Sequence, residues 1–568
     1  MDATPPTTRP IGVRAPMPGV VYAPRDELER YVAAGALSFE TLAGGLRASF
    51  ERNAGRIALD GSGRAVTYAE LDADTERLGA ALLREGLAPL DRVVFHLNNS
   101  YELVTCWVAC LKAGLIPLCT LAAHREHEIG YLANHSKAVL HVVQGNDPKF
   151  DGIAFAKAMQ AKVPSLARIM QVAGDPTPGV LHLRGLVDSI DLDEARQVLA
   201  AVELDPFQVA VFQLSGGTTG VPKIIPRFHN EYLSMMRHVA AWNGYRDDDT
   251  VFIPLPMIHN LNMGCFFGPF LLTGGRVLVV PDLSPETLVA TMQRYRPTWQ
   301  VLGPLAARLE PAIASGALDF SHVRGVVTTK GAGRIRERLK VPALQIFGMT
   351  EGVITFTRPH EDPVRALDET VGRPVCPLDR IRILKPGTEQ EVPLGEDGEP
   401  SFKGPYTIHG YYDAAERNRE TFTSDGWYRS GDLMRAVEIE GRVYYEFRGR
   451  IKDVVDRGGE KINCEEIEGL LIPHPAVAAV AAVGMPDPDY GERLCAFVIP
   501  MKGQPGPTVE TFAEWLKAQG VAKYKWPERA EVVGEFPQTS SGKLSKPLLK
   551  KLIAERIAAE RAAAGRGR

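Results

Sequence analysis

From Phe39 to Pro374 the chain repeats one pattern: a short apolar run of strand length, closed by a glycine, a proline or a polar loop, and then a segment with helical spacing. Arg92–Phe95, Val139–Val143, Val209–Phe212, Val251–Ile253, Arg276–Val280 and Gly325–Val327 read as strands, and Leu71–Glu85 and Glu102–Leu111 as helices between them. Strands alternating with helices in this way form a sheet covered on its faces, with functional loops at the strands' carboxyl ends. After Pro374 the texture changes. Arg380–Leu384 and Val443–Phe447, separated by glycine and proline turns, predict a smaller strand-rich unit. From Ile451 to Leu552 the spacing predicts a compact α+β unit: helix Cys464–Leu471, strands Val477–Val483 and Cys495–Ile499, helix Val509–Gln519 and strand Ala530–Val533. The tail from Ala554, rich in Ala, Glu and Arg, reads as a fraying helix end. The fold class expected is therefore α/β: two α/β subdomains and a small β-rich subdomain over residues 1–448, then an α+β domain over 454–568.

Composition narrows the function. The 568 residues are 45% hydrophobic and 24% charged, which describes a soluble globular protein and excludes collagen-like, disordered and disulfide-stapled chains. Lys and Arg number 65 against 69 Asp and Glu, so no global basic excess favours nucleic acid. The seven cysteines are sparse and lack paired CxxC spacing, which fits a reducing cytoplasm. The start shows no basic segment followed by an apolar one, so no secretory signal is expected. The longest apolar stretch, Leu103–Ala122, is broken by Lys112, Gly114 and Pro117; it reads as a buried helix, a glycine turn and a short strand rather than a membrane span.

The strongest local signal is the strand Val209–Leu214 running into Ser215-Gly216-Gly217-Thr218-Thr219-Gly220-Val221-Pro222-Lys223. Glycines let backbone N–H groups approach phosphate oxygens, hydroxyls add donors, and Lys223 adds a cation, so the loop suits a polyphosphate. It is not a Walker A loop, because Pro222 precedes the lysine and Ile224 follows it. Gln345–Gly352 places an aromatic, a hydroxyl and a carboxylate at the end of an apolar strand, where an oxygen ligand suits a hard cation. His124 and His127 share an i,i+3 spacing, but no third ligand accompanies them.

These segments together resemble adenylate-forming enzymes, the superfamily of acyl-CoA synthetases, luciferases and nonribosomal adenylation domains, from Leu71 to Leu549. Within it the chain is most similar to stand-alone aryl-acid-AMP ligases of siderophore pathways, typified by 2,3-dihydroxybenzoate-AMP ligase. The likeness is carried by Gln213–Gly220, Ile225–Arg227, His229-Asn230, Pro256–Asn260 and Arg457-Gly458-Gly459-Glu460-Lys461. The resemblance implies ATP and Mg²⁺. Ser215 to Gly220 and Lys223 would hold the phosphates; Phe347, beside Gly348, would flank the adenine; Thr350 would contact the α-phosphate and Glu351 hold the metal. Lys330-Gly331-Ala332 would line the adenine and acyl sites. Asp432, in Ser430-Gly431-Asp432, would accept from the ribose hydroxyls, and Arg450 would contact the ribose, with an interval between them longer than in relatives. By the same likeness Lys452 would fall at a hinge over 449–453, about which the C-terminal domain would rotate between adenylating and thioester-forming poses. Lys543, in Thr539-Ser540-Ser541-Gly542-Lys543, would be the catalytic lysine, and Gly458, Gly459 and Lys461 would border a pantetheine channel.

The acyl pocket is implied by the same likeness. Amino-acid-activating relatives carry an aspartate after the residue matching His259, whereas this chain has Asn260, which can donate to a phenol or carboxylate oxygen but cannot pair an ammonium. His259 would sit beside the substrate carboxylate. Cys265 and Ile354 stand where dihydroxybenzoate ligases have a serine and a valine, a bulkier and less hydrogen-bonding wall. A buried 3-hydroxyl would lack a partner there, which favours salicylate, then benzoate. Leu261 departs from the aromatic common in aryl-acid ligases. The expected reaction makes aryl-AMP and pyrophosphate, then passes the aryl group to the phosphopantetheine thiol of a separate aryl carrier protein; the alternative is an aryl-CoA ligase using free coenzyme A. Neither nucleic acid nor membrane is expected as a partner.

Overall fold

Helix starts and buried polar groups show why the expected alternation folds as it does. Thr67 opens helix Tyr68–Arg84 with a reciprocal cap, its Oγ1 accepting from Glu70 N at 3.2 Å while Glu70 Oε2 accepts from Thr67 N at 2.8 Å. Helix Tyr101–Lys112 is buried at every residue but Glu102, and its one buried charge is satisfied: Lys112 Nζ donates to Asp72 Oδ1 at 2.5 Å, Thr75 Oγ1 at 2.8 Å and Asp72 O at 3.2 Å. All three ammonium donors are thus used, so a lysine is tolerated inside an apolar run. The glycine turn and strand Ile116–Leu118 follow as expected.

The computed structural model describes residues 10–565 except 62, 216–221, 281, 303–305, 458–459, 520, 522 and 540–542. The chain divides into two units, Met1–Ile381 with Phe402–Tyr428, and Arg382–Ser401 with Arg429–Arg568. Among the described residues the first unit holds a seven-stranded sheet in the order Leu181–His182, Arg168–Gln171, Leu140–Val143, Arg92–His96, Ile116–Leu118, Val209–Ser215, Lys223–Phe228. It is parallel except for the last pair. A nine-stranded sheet runs Arg373–Pro374, Ile354–Phe356, Ala343–Gly348, Gly325–Thr328, Trp299–Val301, Thr250–Phe252, Arg276–Leu278, Ile57–Gly61, Arg64–Thr67, parallel inside and antiparallel at both edges. Helices bury the inner strands on both faces, which is why these read as continuous apolar runs.

An N-terminal strap ties distant parts of this unit together. Tyr22 Oη donates to Gln208 Oε1 at 2.7 Å, Asp413 N donates to Gly19 O at 2.8 Å, and Lys403 Nζ lies 2.6 Å from Glu27 Oε1.

In the second unit, Asp432–Ile439 and Arg442–Arg450 form one hairpin, which accounts for the long interval between those motifs. Its turn residues Glu440 and Gly441 both have positive φ, 51° and 76°, the geometry of a two-residue hairpin turn. A further sheet pairs Glu460–Asn463, Val454–Arg457, Gly491–Pro500 and Val477–Asp487, with Arg529–Val532 parallel to Gly491–Pro500. The tail is helical, as expected: it continues helix Lys546–Gly565, with Ile557 packed against the cluster of Leu549 and Ile553 and Arg529 reaching both carboxylate oxygens of Glu560, at 2.6 and 2.9 Å. Composition alone hid those partners. No helix of the described residues is long and apolar enough to cross a membrane.

Candidate active site

Strand Val209–Ser215 returns as Lys223–Phe228 with Ser215 paired opposite Lys223, so strand pairing closes the base of the phosphate-type loop. Gly216, Gly217, Thr218, Thr219 and Gly220 lie outside the described residues. Ser215 Oγ is buried without a hydrogen-bond partner among the described residues, an orphaned hydroxyl at the mouth of a loop suited to phosphate oxygens. Lys223 Nζ donates to Tyr411 Oη at 3.2 Å and lies 4.5 Å from the centre of that ring. Tyr411 Oη in turn donates to Glu351 Oε1 at 2.9 Å and lies 3.2 Å from Tyr428 Oη.

Four residues along the return strand, Arg227 ties the same region from beneath. Fully buried, it donates from Nη1 to Thr350 O at 2.6 Å and from Nη2 to Glu231, while its guanidinium lies 5.3 Å from the Tyr232 ring centre. Glu231 also accepts from Phe228 N at 3.0 Å, capping its own helix. Burial pushes the Glu231 carboxyl up to about 7, against the pull of the guanidinium and that N–H. Thr350 and Glu351 are both buried, and Gly352 lies so close to Thr407 that an added Cβ would sit 3.0 Å from its Oγ1. Phe347, half-buried on strand Ala343–Gly348, lies 6.3 Å from Phe402 between ring centres, and Gly348 pairs with Ile354 on the next strand.

A second chain of hydrogen bonds reaches the expected acyl pocket. Gln213 Nε2 donates to Tyr232 Oη at 3.3 Å, and Tyr232 Oη donates to Asn260 Oδ1 at 2.8 Å. With its carbonyl oxygen engaged, Asn260 keeps a donor-only Nδ2 that has no partner among the described residues. His259 caps the short helix Asn260–Asn262, its Nδ1 accepting from Leu261 N at 3.3 Å, which leaves the ring proton on Nε2. The next turn, Met263–Phe267, is a π-turn carrying Cys265, fully buried with its thiol pushed up by desolvation. Ile354 is buried as well. The Lys330-Gly331-Ala332 turn has Lys330 exposed and Gly331 at φ 75° with nothing near an added Cβ, so conformation rather than space requires the glycine.

The remaining residues belong to the second unit. Asp432 and Arg450 face each other across the hairpin, Arg450 Nε 3.6 Å from Asp432 Oδ1, the aspartate buried and the arginine largely exposed. Lys452 is exposed on the short helical turn Ile451–Asp453, its carbonyl accepting from Lys550 Nζ at 3.1 Å. Gly458 and Gly459 lie outside the described residues; the strands flanking them pair Arg457 with Glu460 and Asp456 with Lys461. Lys543 is exposed at the end of a loop closed by Thr539 N to Lys543 O at 2.7 Å and Lys543 N to Thr539 Oγ1 at 3.2 Å. His124 is buried, its Nδ1 accepting from Leu121 N at 3.3 Å, and no cluster of metal-ligating residues occurs among the described residues.

Sequence reasoning missed Tyr411, the Arg227–Glu231 pair and Tyr232. The pair left a trace, since Arg and Glu four apart at a helix start can bond to each other; Tyr411 left none near Lys223.

The AMP-binding enzyme family model matches residues 46–412, and the AMP-binding enzyme C-terminal domain model matches residues 466–543. The salicylyl-CoA synthase / salicylate adenylyltransferase of a Streptomyces species is 37% identical over 548 residues, covering 94% of this chain and 98% of the relative. The salicyl-AMP ligase / salicyl-S-ArCP synthetase of Mycobacterium tuberculosis is 36% identical over 545 residues, 93% of each chain. The solved apo structure of MbtA from Mycobacterium smegmatis is 31% identical and matches with a TM-score of 0.70 over 94% of this chain and 98% of that one. Matched over most of its length by the family model and by whole-length relatives, this chain belongs to the AMP-binding enzyme family.

Proposed function

We propose that this chain activates an aromatic carboxylic acid, salicylate before benzoate, with ATP and passes the aryl group to a phosphopantetheine thiol. The observation that carries the substrate class is the fixed amide of Asn260. Tyr232 holds its oxygen, so the neutral Nδ2 is left to donate to a phenol or carboxylate oxygen, and no carboxylate stands there to pair an amino group. Cys265, buried as a neutral thiol, and Ile354 leave a 3-hydroxyl poorly served. The names of the relatives, salicylate adenylyltransferase and salicyl-AMP ligase, support the same acid.

In this reading the aryl carboxylate attacks the α-phosphorus of ATP, a mixed anhydride forms and pyrophosphate leaves. Ser215, the glycine-threonine loop and Lys223 hold the phosphates, with Thr350 at the α-phosphate, while Asp432 and Arg450 hold the ribose. Gly331, Ala332, Phe347 and Gly348 border the adenine. Glu351 fits Mg²⁺, since a buried carboxylate with one uncommitted oxygen is what this ion takes beside phosphate oxygens; bound there, the ion would neutralise phosphate charge. Lys543 steadies the charge developing as pyrophosphate departs. The thiol then attacks the anhydride carbonyl and AMP leaves, after rotation about 449–453 at Lys452 withdraws Lys543 and brings Gly458, Gly459 and Lys461 to the thiol path.

The acceptor we favour is a separate aryl carrier protein, in a cytoplasmic setting that suits seven free, buried cysteines. Free coenzyme A is the second reading, supported by the relative named for both salicylyl-CoA synthesis and adenylation. Pyrophosphate exchange with salicylate, benzoate, 2,3-dihydroxybenzoate, anthranilate and a medium-chain fatty acid tests the acid: salicylate should lead, and a preference for the fatty acid overturns the pocket. Comparing coenzyme A with holo carrier protein as acceptor decides the thiol.

A further inference from the structure

We propose that Tyr411 is a positioning residue for the metal-binding carboxylate: its phenol ties Lys223 to Glu351 and fixes which oxygen of Glu351 is offered to the divalent cation of the nucleotide. The proposal rests on the nucleotide half of the reading above and does not depend on the identity of the acid.

The hydrogen-bond directions are forced. An ammonium only donates and a carboxylate only accepts, so Lys223 Nζ donates to the phenol oxygen at 3.2 Å and the phenol proton goes to Glu351 Oε1 at 2.9 Å. Tyr428 Oη, 3.2 Å away, then donates to the remaining lone pair, and every hydrogen-bonding position of the Tyr411 hydroxyl is used. Glu351 Oε1 is therefore committed, and Oε2 has no partner among the described residues. Magnesium demands near-octahedral geometry and takes few carboxylate ligands, so an oxygen held in one place serves it better than a swinging side chain.

The tyrosine is itself held. Its N–H donates to Asn418 Oδ1 at 2.8 Å, and Asn418 Nδ2 donates back to Tyr411 O at 3.1 Å. The next residue, Tyr412, donates from N to Ile224 O at 3.0 Å, on the strand that Lys223 begins. Gly410 admits no side chain, because a Cβ there would lie 2.6 Å from Val21 Cγ2. The link thus joins the start of the phosphate-side strand to the metal-side loop through one rigid phenol.

Tyr411→Phe keeps the ring under Lys223 and removes only the hydroxyl. The test is calorimetric titration of ATP into the full chain, with no aryl acid present, across a series of Mg²⁺ concentrations and in chelator. The Mg²⁺ concentration giving half-maximal gain in ATP affinity should rise about tenfold, while affinity in chelator changes less than about threefold. An unmoved Mg²⁺ midpoint overturns the proposal, and so does an equal loss of affinity with and without the ion, which is the mark of a merely structural role. Tyr428→Phe, which withdraws the donor behind the phenol, should raise the midpoint about twofold; if Tyr411→Phe does not fold, no rise in Tyr428→Phe overturns the proposal by itself. Because no acid is present, failure here leaves the substrate reading intact, and failure of the acid panel leaves this one intact.

Discussion

The residues assigned to substrate binding in the first unit and those assigned to catalysis and movement in the second are built in opposite ways. Lys223, Tyr411, Glu351, Arg227 and Asn260 sit in closed hydrogen-bond chains, most of them buried, with partners scattered over the sequence. Lys543 and Lys452 are exposed, on a loop end and a single helical turn. Preorganised dipoles and charges do most for catalysis when they need not reorganise, which suits groups that hold a nucleotide. Groups that must enter and leave during a turnover are drawn from less constrained parts of a fold.

The contrast breaks first at Lys543. Lys543→Ala should lower pyrophosphate exchange about a thousandfold with an unchanged melting temperature, because the side chain stabilises a transition state and little of the fold; a large loss of thermal stability would put Lys543 with the buried group. Asn260→Asp should cost about a hundredfold in kcat/KM for salicylate, since it sets a carboxylate against an anionic substrate. An undiminished value would remove Asn260 from the pocket.

Stability against pH sharpens the same distinction. Burial raises the Glu231 carboxyl from 4.5 to about 7, so the fold holds this proton more tightly than the unfolded chain does. Its stabilising contribution is full below pH 4.5 and is lost as pH rises through about 7. The difference in unfolding free energy between the protein and Glu231→Gln should therefore vary by roughly 3 kcal/mol across that window, read by denaturant melts at several pH values. A flat difference would show the carboxylate ionised throughout by Arg227. The smallest effect is expected at the hinge: Lys452→Pro should slow aryl transfer to the thiol about tenfold more than it slows exchange, as measured by single-turnover rates, and equal slowing would place rotation elsewhere.

Much of this was legible because it is local. A strand and the loop after it are contiguous, so Val209–Lys223 carried the strand and the proposed phosphate loop in one stretch, and helix Cys464–Leu471 was bounded correctly from its own spacing. Lys112 could be placed in a buried helix, although its partners Asp72 and Thr75 could not be named. Tyr411 stayed invisible because its chemistry is made by chain crossings, Lys223 lying 188 residues away and Glu351 60. The orientation of the Asn260 amide was hidden for the same reason, since Tyr232, 28 residues earlier, decides it. The tail was legible as a helix end, but its anchor was not, since Glu560 meets Arg529 31 residues away.

The strap from Gly19 to Glu27 lies ahead of residue 46, where the family match begins, yet it grips Lys403 and Asp413 on either side of the phenol that joins Lys223 to Glu351. Anyone trimming this polypeptide at residue 46 would retain every recognised motif and still unbuckle the proposed nucleotide cradle from outside.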